Sequence, residues 1–211
     1  MGITIFYKGK LASTDNIEPL VTEVADICDT LKWPYHTLDE DFDIPFSARI
    51  RHTQEGVQID GHLPIKGISF QSHKDSEYVT LMFDREGYLR MPISLAFDGP
   101  DDPNTKQIFV KTQYAGVDAH ITTVKLLKYL FEKYFGEVDV SDEAEYWEKG
   151  DRAHTEQKFA LLNSILNRME KVLDEAGDSL TSDSDSTDEI ADKLEKLIED
   201  KWEQIAADDQ G

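Results

Sequence analysis

Residues 107–151 read QIFVKTQYAGVDAHITTVKLLKYLFEKYFGEVDVSDEAEYWEKGD, and the order of their periodicities points to the fold class. Ile108, Phe109 and Val110 form a short β-rich run that continues into polar Lys111 to Gln113, the pattern of a buried strand with a wet end. Tyr114-Ala115-Gly116 interrupts it. Ile121, Val124, Leu127 and Phe131 then recur at helical spacing, with Leu126, Leu130 and Tyr134 widening the stripe. Asp118 is placed to accept from the free amides of the first turn, and Gly136 to end the helix in a left-handed conformation. Val138 and Val140 alternate with Glu137 and Asp139, which predicts a half-buried strand.

Toward the N-terminus, Ile3 to Tyr7 predicts a strand, and Asp15 or Asn16 caps a helix with Ile17, Leu20, Val21, Val24, Cys28 and Leu31 on one face. Pro19 fits its first turn, and Trp33-Pro34 stops it. Trp33, Tyr35 and His36 read as an aromatic plug over the helix end, and Asp39 to Asp43 as a solvated acidic loop without EF-hand spacing. Between Ser47 and Pro92 the period is two. This predicts a meander of hairpins, with Gly67 marking a bulge or a close backbone approach and Tyr88–Met91 pairing with Tyr78–Phe83. Ile93–Lys106 reads as a long loop.

Beyond Asp151, Phe159, Leu162, Leu166, Met169 and Leu173 mark a helix expected to end at Gly177. The expected organisation is a single domain over 1–177, an acidic flexible linker over 178–187 and an amphipathic helix over 188–206. The fold class is α+β: an antiparallel or mixed sheet with the two main helices on one face, plus C-terminal helices. A ferredoxin-like core enlarged by a hairpin is the specific expectation.

The charge narrows the function. The 211 residues hold 43 Asp and Glu against 22 Lys and Arg, a formal charge of −21, and about half of that excess lies in 173–211. This balance disfavours direct binding to nucleic acid or to an anionic membrane, both of which call for clustered Lys and Arg. The single cysteine, Cys28, excludes an intrachain disulfide and reads as a packed thiol in a reducing compartment. No basic stretch followed by a long apolar segment opens the sequence, and no apolar run is of membrane-spanning length, so a cytoplasmic protein is expected.

No nucleotide fingerprint, serine-nucleophile motif or zinc-binding His spacing is present, and no motif assigns the chain to a known family. The turn before the central helix is a potential anion site, with Lys111, Gln113, Gly116 and His120 around it. Asp142, Glu143, Glu145, Glu148 and Asp151 surround Tyr146 and Trp147. His120, Glu145 and Glu148 are the catalytic candidates, and His120, Glu143, Glu145 and Asp151 the metal candidates. The leading expectation is a non-catalytic protein-binding or assembly module that meets a protein partner, or its own copy, through Ile190, Leu194 and Ile198. The alternatives are a divalent-metal-dependent hydrolase centred on His120 and the 142–151 carboxylates, and an acidic mimic of nucleic acid.

Overall fold

The structure is a computed structural model that describes residues 2–54 and 56–180. The first half comprises β1 (Thr4–Leu11), α1 (Ile17–Leu31), β2 (Tyr35–Asp39), β3 (Arg49–Thr53), β4 (Gly56–Asp60), β5 (Lys66–Phe70) and β6 (Val79–Phe83). The second comprises α2 (Pro92–Asp98), β7 (Ile108–Lys111), α3 (Gly116–Tyr134), β8 (Phe135–Asp142), α4 (Tyr146–Lys149) and α5 (Arg152–Leu180). The chain divides into two compact units, the first ending at Phe159 and the second starting at Ala160. The described part of the second unit is helix, Ala160 to Leu180.

Among the described residues all strand pairs are antiparallel, in sheets of order β7-β1-β8, β2-β5-β6 and β3-β4. Antiparallel sheets with packed helices make the class α+β. The ferredoxin-like detail is not confirmed: β7 and β8, joined by α3, flank β1 and both run antiparallel to it, as in a split β-α-β unit, but the strand after α1, β2, lies in a different sheet with β5 and β6.

The stripes of α1 and α3 explain why both helices lie on one face of the β1 sheet. Leu20, Val24 and Cys28 of α1 and Val124, Leu127 and Phe131 of α3 share one core with Ile5 and Tyr7 of β1. Burial pushes the Cys28 thiol up to about 11, consistent with a packed side chain rather than a nucleophile. Side by side, the helices are joined by Glu23, whose carboxylate accepts from Tyr129 (2.6 Å), Lys133 (2.8 Å) and Tyr134 (2.6 Å).

β6 is buried at every position. Val79, Leu81 and Phe83 enter the main core, and Met82 enters a smaller one with Ala48, Ile65 and Leu95. One edge of β6 pairs with β5. At its other edge the Tyr7 hydroxyl accepts from the Thr80 amide and donates to the Thr80 carbonyl, each at 3.0 Å. A side chain thus satisfies peptide groups that a further strand would otherwise satisfy.

Several expectations are corrected. Gly136 is no helix cap: α3 ends at Phe135 in extended backbone, and Gly136 lies within β8. Asp118 does not cap α3, which starts at Gly116 (φ 82°); its carboxylate pairs instead with Arg152 at 2.6 Å. Val138 is 42% exposed rather than half-buried. Tyr88–Met91 forms only isolated bridges, Tyr88 with Lys10 and Leu89 with Phe83, because the segment is shared between β1 and β6. The long loop contains α2 and a 3-10 turn at Pro103–Lys106, each opened by proline, whose fixed φ suits a first helical turn. Gly177 does not end α5, which runs on to Leu180; glycine inside a helix costs only about 1 kcal/mol. At Gly67 the close-approach reading holds, since a Cβ there would meet the Leu81 carbonyl oxygen at 2.0 Å.

Candidate functional site

His120 and Asp142, 22 residues apart, meet inside the first unit. The end of β7 supplies Thr112, α3 supplies His120 and the end of β8 supplies Asp142. The Thr112 Oγ1 lies 2.8 Å from His120 Nδ1, and His120 Nε2 lies 3.1 Å from Asp142 Oδ2. With the proton on Nε2, the ring donates to the carboxylate and accepts from the hydroxyl. The Asp142 carboxylate also accepts from the amides of Ala144 (2.9 Å) and Trp147 (3.0 Å). Burial pushes the Asp142 carboxyl up, but these bonds and the adjacent imidazole outweigh it and hold the group below its ordinary value.

This hydroxyl–imidazole–carboxylate line has the donor order of a nucleophilic triad. Its surroundings are those of a core. The side chains of His120 and Asp142 have 0% exposure, and the ring of Phe159 closes on the imidazole edge at 5.6 Å. A general base must come within hydrogen-bond reach of a substrate proton, and no such approach exists in this packed arrangement. The network ties β7, α3 and β8 together.

The other candidates of 142–151 face elsewhere. Glu143 accepts from the Thr4 amide at 2.8 Å, and Glu148 lies 3.4 Å from the Asp142 amide. Glu145, in left-handed backbone (φ 59°), holds His154 at 2.8 Å and Lys158 at 2.9 Å and also pairs with Lys149. Those bonds from Lys149, Lys158 and His154 bring its carboxyl down to about 2. Asp151 caps α5, accepting from the amides of Ala153 and His154. Glu143, Glu145 and Asp151 are therefore committed to amides or cations. Among the described residues, no group of three or more His, Cys, Asp or Glu side chains is placed to hold a metal ion.

The anion set does not assemble either. His120 is turned inward, and the Lys111 backbone pairs with Glu77, its amide donating to Oε2 at 2.9 Å. Gln113 Oε1 is buried without a hydrogen-bond partner among the described residues, packed so close to Gly2 that a Cβ there would meet it at 2.5 Å. Ile190, Leu194 and Ile198 lie outside the described residues.

A different feature has the shape of a binding site. A groove of about 870 Å³ runs between the N-terminal half of α1 and β2, with Ile17, Val21, Leu38 and Phe42 supplying its apolar surface. Phe42 lies under two cations, Lys66 at 5.3 Å and Arg85 at 5.9 Å from the ring centroid. Lys66 is neutralised by Asp39 at 2.6 Å, and Arg85 by Asp43. This site is not among those the sequence suggests, because 39–43 reads as a solvated loop and Trp33, Tyr35 and His36 as a plug. The available signal was Phe42, an aromatic residue alone among carboxylates. The plug itself is present in part, with Trp33 stacked on Phe70 at 6.0 Å.

Compared with known proteins, the chain matches no family model, no curated protein and no solved structure at a significant level. Among the described residues no helix is long and apolar enough to cross a membrane.

Proposed function

We propose that the chain is a non-catalytic protein-binding module whose contact site is the groove between α1 and β2. The observation that carries this reading is the groove's composition. Ile17, Val21, Leu38 and Phe42 give it an apolar surface within a polar and charged rim, and its cations are already neutralised by neighbouring carboxylates, so it offers burial and shape rather than a poised acid, base or nucleophile. The hydrolase alternative draws no comparable support from His120, whose side chain is sealed in the core. The strongly acidic composition suits a partner with a cationic surface, which it would attract at long range. The 188–206 segment, with Ile190, Leu194 and Ile198, remains a second proposed contact for a partner or another copy.

Site-specific photo-crosslinking tests the reading. A photoreactive side chain at position 21 captures a partner protein from cell extract, whereas the same group at Leu161, which is 61% exposed, does not. Equal capture from both positions, or none from position 21, rejects the groove as the contact site.

A further inference from the structure

The groove is bordered by a sheet edge that no other strand pairs with among the described residues, and the hydrogen-bond pattern says which peptide groups stand along it. β2 is the outer strand of the sheet β2-β5-β6. The Gln71 amide donates to the Pro34 carbonyl and the Glu40 amide to the Ile65 carbonyl, so even-numbered residues of this segment direct their peptide groups toward β5. In an antiparallel ladder this direction alternates, so Tyr35, Thr37 and Asp39 direct N–H and C=O outward. Thr37 and Asp39 also line the groove.

Charge at the rim is one-sided. Lys66 and Arg85 already have carboxylate partners, whereas Asp15 and Glu18, on the opposite wall, have no ion-pair partner among the described residues. The unbalanced charge facing an occupant is therefore negative. The open peptide row calls for a strand, the apolar lining for alternate apolar side chains, and Asp15 and Glu18 for cations.

We infer that the groove takes an extended peptide segment of alternating apolar and basic residues, which adds to β2 as a fourth strand. This specifies the mode and chemistry of the partner and rests on the protein-binding reading above. Main-chain bonds to Thr37 and its neighbours supply register, and the side chains directed at α1 bury against Ile17, Val21 and Phe42.

Fluorescence anisotropy of the full chain with labelled peptides tests it. The probes are a peptide of alternating valine and lysine, its valine–glutamate counterpart, and the lysine peptide N-methylated on alternate amides in either phase. The lysine peptide binds and the glutamate peptide does not. Methylation in one phase weakens binding roughly tenfold while the other phase is neutral, because only every second amide faces β2. Thr37→Pro has the same tenfold effect, since it removes an outward donor while leaving the ladder to β5 intact. Should that variant fail to fold, the methylated peptides give the same reading on the unaltered protein. Asp15→Lys with Glu18→Lys reverses the preference between the two charged peptides. Binding that is insensitive to methylation in both phases overturns strand addition and leaves the protein-binding reading standing. Absence of binding by every peptide also overturns it, and crosslinking from position 21 then judges the broader reading independently.

Discussion

Asp142 shows how much a single residue organises here. Its carboxylate receives the His120 imidazole and the amides of Ala144 and Trp147 in a site its side chain does not expose to water. Removing it leaves three donors without an acceptor, two of them buried and that of Trp147 partly so. Asp142→Ala is therefore expected to lower the stability by about 3–5 kcal/mol in denaturant unfolding, the range for breaking a buried pair from one side. A loss below about 1 kcal/mol would mean that water reaches the donors. The pH dependence has a definite sign. The folded carboxyl titrates below its ordinary value, so its contribution is complete above the unfolded value and declines as pH falls through the folded one. The acid limb of the unfolding curve should therefore be shallower in the variant.

At the scale of elements, the contact between α1 and α3 rests on matched stripes and is fastened by Glu23. Burial pushes the Glu23 carboxyl up, but the bonds from Lys133, Tyr129 and Tyr134 prevail and bring it from 4.5 down to about 2. Lys133 is raised in return, chiefly by its bond to Glu23. The stabilisation is thus present above about 4.5 and fades as pH falls toward 2. Glu23→Gln is expected to cost roughly 1–2 kcal/mol near neutral pH, after allowance for solvent screening of a partly exposed group. The difference between variant and parent should shrink between these two pH values. A difference constant across that window would show that the ionised carboxylate is not the source of the loss. Edges follow a similar logic. β6 has part of one edge closed by the Tyr7 hydroxyl, whereas among the described residues nothing pairs with the outward edge of β2 at Tyr35, Thr37 and Asp39.

For the whole molecule, the main core draws its buried residues from β1 through Tyr146, all within the first compact unit. A chain ending at residue 177 is expected to keep a cooperative melt while losing any self-association that the full chain shows in light scattering. A truncated chain that fails to melt cooperatively would place the missing segment in the folding unit. Unchanged association would remove 188–206 as the interaction element. The charge of −21 also repels itself, and screening weakens this over about 10 Å at 0.1 M salt, which favours the compact state as ionic strength rises.

The local patterns in the sequence were sufficient for the long helices and most strands, but not for β2 and α2, which lie in segments that read as plug and loop. Apolar residues at helical spacing from Ile17 to Leu31 and from Ile121 to Tyr134 form α1 and α3, and the alternation after Ser47 forms β3 to β6. These periods reflect each element's need to bury one face, so they can be read without knowing the partner. Caps and element ends were less legible. Asp118 and Gly136 have the right side chains for a start and a stop, but Arg152 draws away the first and pairing with β1 claims the second. The site was the least legible part. His120 and Asp142 were identifiable as polar residues, but only tertiary packing decided that they face each other without water, and so hold the fold together rather than act on a substrate. The groove beside β2 combines residues from 14 to 85. Its apolar surface and its open edge arise from where α1 and β2 come to lie, and no local period encodes a space between two elements.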